Sequence, residues 1–99
     1  LFDVMPPIQL KGAEQYRERL KQWFESIEGP IVLEQTEPQV AAGDELAWCH
    51  AVNRIGCKGL DGATHDGLVR ATVCFRKVDG DWLVTHGHAS VPMQMPDQA

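Results

Sequence analysis

An α+β domain, one amphipathic helix lying across the concave side of a strongly bent antiparallel sheet, is the fold class the sequence predicts. Three observations carry it. Residues Leu68 to Met93 alternate apolar and polar side chains on both sides of Asp79-Gly80, a pair suited to the two positive φ angles of a type I′ hairpin. Tyr16, Leu20, Trp23, Phe24 and Ile27 recur at helical spacing and form one stripe. Further strand-like runs follow that helix without another helix between them, the order of an α+β layer rather than of alternating units. Such a bent sheet leaves a conical hollow under the helix.

Taken in order, Leu1 to Val4 reads as a short strand, stopped at Met5-Pro6-Pro7 because proline cannot donate to a ladder. Lys11-Gly12 opens the helix, which is expected to run to about Glu28, where Gly29-Pro30 would close it with a left-handed cap. Ile31 to Thr36 is a second strand, broken by Glu37-Pro38. After the turn at Gly43-Asp44-Glu45, a third strand runs from Leu46 to about Ile55. Trp48, His50, Val52 and Arg54 share one of its faces, and Ala47, Cys49, Ala51 and Asn53 the other. Gly56 to Gly67, with four glycines and two aspartates, reads as a flexible connection. Beyond Pro92 the tail is polar and expected to fray.

Counting outward from the Asp79-Gly80 turn sets Val78 opposite Asp81, Phe75 opposite Val84, Val73 opposite His86, Ala71 opposite His88 and Val69 opposite Ser90. One face then carries His86, His88 and Ser90 among valines. The other carries Thr72, Cys74 and Thr85, and with Cys49 and Ala51 this small, weakly polar reverse surface suits sheet-to-sheet packing in a homodimer. Two histidines in a row on a face that should be buried mark where a site would be.

With 99 residues the chain is read as one domain over 1–99, able to form a core but costly to leave open-sided. The formal charge of −5 argues against a nucleic-acid surface, which needs clustered Lys and Arg. No apolar run approaches a membrane span. Three cysteines, Cys49, Cys57 and Cys74, lack CxxC spacing, so reduced thiols in a cytoplasmic protein are expected.

The runs GDELAWCHAVNR and VRATVCFRKVDGDWLVTHGHASVP resemble the SnoaL-like branch of the ketosteroid-isomerase-like and nuclear-transport-factor-2-like superfamily. LFDVMPPIQLKGAEQYRERLKQWF is similar to that superfamily's strand, glycine and helix, and WLVTHGHASVP also resembles the association domain of calcium/calmodulin-dependent kinase II. The resemblance implies a cone-shaped α+β barrel whose pocket holds a small, largely apolar ligand. It implies a general-base role for Asp3 and a cavity-facing position for His86, His88, Ser90, Trp48, His50 and Arg54. Val73 falls where the isomerases carry an oxyanion-hole acid, and valine donates no hydrogen bond. The family's leading helices have no counterpart, so the cone is expected to be open at one end or closed by another protomer.

On chemistry, Asp3 beside an apolar pocket can act as a base because desolvation raises a carboxylate toward the working range. His86 and His88 can polarise a carbonyl or return a proton, and Arg54 can hold a carboxylate bidentately or pair with a neighbouring acid. A metal site from His50, His86, His88 and Asp3 is too unspecific a donor set to adopt, and no cofactor is expected. The expected function is cofactor-free acid–base chemistry of an isomerase, cyclase or dehydratase type on a carbonyl-containing substrate. The rival is a non-catalytic association module.

Overall fold

The computed structural model describes residues 1–93, so most of the polar tail lies outside the described residues. Helix α1 spans Gly12–Glu25, and four strands follow: β1 Ile27–Ala42, β2 Leu46–Gly59, β3 Thr64–Val78 and β4 Asp81–Ser90. They form one curved antiparallel sheet in the order β1-β2-β3-β4, which is not closed. Short connections make each strand pair with its neighbour in sequence.

The elements differ from expectation mainly at their ends. The helix stops at Glu25 because Ser26 caps it: the Ser26 N–H donates to the Trp23 carbonyl at 3.0 Å and its hydroxyl to the same oxygen at 2.6 Å. Gly29 does take a positive φ of 77°, but within an irregularity of β1 between the pairs Glu28–Lys58 and Val32–Gly56. Glu37-Pro38 does not end its strand either. Glu37, at φ 48°, forms a second irregularity between Thr36–Val52 and Gln39–His50, and β1 continues to Ala42. Both prolines are tolerated because β1 is an edge strand, where a missing N–H leaves no ladder partner unpaired. The glycine-rich connection shrinks to the residues between Gly59 and Thr64, with Cys57 paired to His65 and Lys58 to Thr64.

The N-terminal strand is reduced to a bridge. Phe2 lies parallel to His88 on the outer edge of β4, its N–H donating to Gly87 O at 2.9 Å and its carbonyl accepting from Ala89 N–H at 2.8 Å. The chain then bends back, and Leu10 exchanges two hydrogen bonds with Leu1, each of 2.9 Å.

At the hairpin, Asp79 (φ 51°) and Gly80 (φ 88°) make the expected turn, and Val78–Asp81 and Phe75–Val84 pair as counted. The next pair is Cys74–His86, which leaves Thr85 as an extra residue on β4. Its hydroxyl donates to the Cys74 carbonyl at 3.2 Å. A bulge of this kind advances one strand by a residue without changing the other. Beyond it, His88 faces Thr72 and Ser90 faces Arg70, not Ala71 and Val69, while Val73 faces Gly87.

Helix α1 covers the face of small residues. Along β2, Ala47, Cys49, Ala51, Asn53, Ile55 and Cys57 are half-buried or buried, whereas Trp48, His50, Val52 and Arg54 are exposed. The helix comes close to the sheet along β1, so a space is left between it and β2 and β3. Among the described apolar residues the buried ones are Leu10 and Ala51, at 8% and 7% exposed.

Candidate functional site

The cross-strand pairs settle which candidates share a face. Trp48 pairs with Cys74 and Cys74 with His86; His50 pairs with Thr72 and Thr72 with His88; Val52 pairs with Arg70 and Arg70 with Ser90. Directly opposed residues point to the same side of a sheet. Trp48, His50, Arg54, His86, His88 and Ser90 therefore stand together, but on the outer face, away from α1. The expected cavity-facing placement of these six is corrected by the Thr85 bulge and by the inward turn of the small residues of β2. The expected reverse surface divides accordingly: Thr72 and Cys74 face out, Cys49 and Ala51 face the helix.

On the outer face Phe2 sets its ring edge-on to both histidines, with centroids 4.8 Å from His86 and 5.5 Å from His88. Trp48 and His50 stack at 5.2 Å. Arg54 takes the second of its two expected roles. It forms a bidentate pair with Asp66, Nε to Oδ1 at 3.1 Å and the terminal nitrogen to Oδ2 at 2.7 Å, and reaches Glu34 at 3.7 Å. The hydrogen bond from Arg54 holds the Asp66 carboxyl below the usual carboxylate range. Arg70 Nε donates to the Ser90 hydroxyl at 3.2 Å.

Asp3 and Val73 lie on the other side. Alternation along the strand turns Asp3 away from the ring of Phe2 and toward the helix, where Arg19 donates to its carboxylate at 2.9 Å and also to the Pro6 carbonyl. The sheet thus separates Asp3 from His86 and His88. Among the described residues no three His, Cys, Asp or Glu side chains converge as a metal cluster.

Between α1 and the sheet is an open hollow of about 580 Å³, lined among others by Trp23, Ile27, Ile55, Cys57, His65 and Val69. Its volume is that of a small-molecule site and its walls are mostly apolar. Beside it, opposite Val69, the buried Asn53 Oδ1 accepts no hydrogen bond from any described residue. An orphaned buried acceptor costs about 1–3 kcal/mol. Sequence reasoning passed over these residues. His65 lay in a stretch read as loop, and no residue type announces that an asparagine will face inward.

A family model for the SnoaL-like domain matches residues 1–94. The chain belongs to the SnoaL-like domain family. A protein of unknown function from Pseudomonas putida KT2440, described as NTF2-like, is 35% identical to this SnoaL-like chain at a TM-score of 0.82; the match covers 99% of this chain and 68% of that one. An NTF2-like family protein from Streptomyces avermitilis is 22% identical at a TM-score of 0.78, over 93% of this chain and 68% of that one. The association domain of the Caenorhabditis kinase CaMKII (C. elegans) is 20% identical at 0.55, over 65% of this chain and 50% of that one. The last two show the fold alone. A comparison with curated proteins finds no match.

Proposed function

We propose that this SnoaL-like domain binds a small, largely apolar, carbonyl-containing molecule in the hollow under α1. The observation that carries the reading is that hollow itself, about 580 Å³ with Trp23, Ile27, Ile55 and Val69 as walls. A cofactor-free acid–base step of isomerase, cyclase or dehydratase type would draw its base from Asp3, which is on the helix side in an ion pair with Arg19 and outside the lining of the hollow. His86, His88 and Ser90 belong with the outer face. That face exposes Phe2, Trp48, Val52 and Leu68, and such an apolar surface favours a homodimer formed through it. Three free thiols suit a reducing, cytoplasmic setting. No described helix is long and apolar enough to cross a membrane.

The reading is tested by titrating the protein with cyclohexanone and following the indole N–H resonances of its tryptophans. Trp23 is expected to shift, and Ile55→Glu to abolish the shift. Perturbation confined to Trp48 on the outer face would overturn it.

A further inference from the structure

The hollow holds one group of reactive side chains that the reading above does not use. Cys57 on β2 and His65 on β3 are direct partners in the ladder and both line the hollow, so thiol and imidazole rise from the same face. In such a pair the Cβ atoms stand about 5 Å apart. Gly59, the next inward-facing position of β2, has no side chain, and the space is taken by two others. A Cβ built there would lie 3.6 Å from His65 Nε2 and 2.7 Å from Asp61 Oδ1. The Asp61 carboxylate is itself held by the Ala63 N–H at 2.9 Å. Thiol and imidazole are therefore cross-strand neighbours beside the β2–β3 turn, a nucleophile next to a candidate base. His65 is exposed and Cys57 half-buried, so the thiol opens onto the hollow while the imidazole stays accessible to solvent protons.

We propose that Cys57 and His65 form a thiol–imidazole site that adds to soft electrophiles, specifically α,β-unsaturated carbonyl compounds, bound in the hollow. The proposal rests on the hollow being a ligand site. In the addition His65 accepts the Cys57 proton, the sulfur forms a bond to the β-carbon, and the C=C π pair moves to give an enolate. The imidazolium returns the proton to the α-carbon. The net change is S–H added across one double bond, with nothing oxidised or reduced.

The test is labelling of the intact protein with 2-cyclohexenone, read residue by residue by mass spectrometry. Cys57 is expected to react about tenfold faster than Cys49 and Cys74, and His65→Gln to remove that advantage. His65→Ala should lose it too and regain it in free imidazole. Equal rates at the three cysteines, or an unchanged Cys57 rate in His65→Gln, would overturn the proposal. Cyclohexanone, which lacks the double bond, separates the two readings. A Trp23 shift without Cys57 labelling removes the thiol site and leaves the pocket, whereas no shift removes the pocket and with it the site.

Discussion

Arg54 and Asp66 show how much of a residue's role is decided by its neighbours across the ladder. Because the Arg54 hydrogen bond depresses the Asp66 carboxyl, that carboxylate favours the folded state above its ordinary titration range, and the contribution is lost as pH falls through the lowered folded-state value. Following Asp66 by NMR should show titration below the usual aspartate range, and Arg54→Gln should bring it back up. Asp3 carries a different expectation. Its pair with Arg19 is partly shielded, so Asp3→Asn should cost about 1–2 kcal/mol in thermal unfolding as well as any turnover. If the hollow runs acid–base chemistry through Asp3, the same variant should still bind cyclohexanone. At Gly59 the constraint is steric: Gly59→Ala would drive a methyl into the Asp61 carboxylate, and slowed Cys57 labelling is the expected sign.

At the level of elements, the hairpin tip was legible and the bulge beyond it was not. Two consecutive positive φ angles have few sequence solutions, and Asp79-Gly80 is one of them. A bulge asks for no particular side chain, so nothing at Thr85 announces it, yet it reverses the face of every residue that follows. The group Trp48, His50, His86 and His88 was therefore assembled from alternation and assigned to the wrong side. Gly29 misled for a related reason: a left-handed glycine serves a helix cap and a strand irregularity equally well. The helix stripe was legible in Leu20 and Trp23, which are half-buried, while Tyr16 and Phe24 remain exposed at 44% and 52% and Ile27 opens β1 instead. Deleting Thr85 should leave a regular ladder in which Cys74 still faces His86, so the imidazole keeps its outward face. Persistence of the Phe2–His86 NOE in that variant is the check.

For the whole molecule, the thin core is the main physical fact. Val40, Leu33, Leu46 and Leu68 are each more than half exposed, so much apolar area that could stabilise the fold is left in water. A second copy against the outer face would cover Trp48, Val52 and Leu68. Placing a charge at Thr72, in the middle of that face, should convert a dimer to a monomer in a solution mass measurement while leaving circular dichroism unchanged; an unaltered mass would dismiss the outer face as the contact. The bridge between Phe2 and His88 has a separate kinetic meaning. Nearly the full described length of chain must be looped before those two residues can meet, whereas each hairpin closes over a short span. The amino-terminal ribbon should consequently dock last during folding and peel away first, so deuterium should enter at the Phe2 and Ala89 amides well before it reaches the middle of β2 and β3.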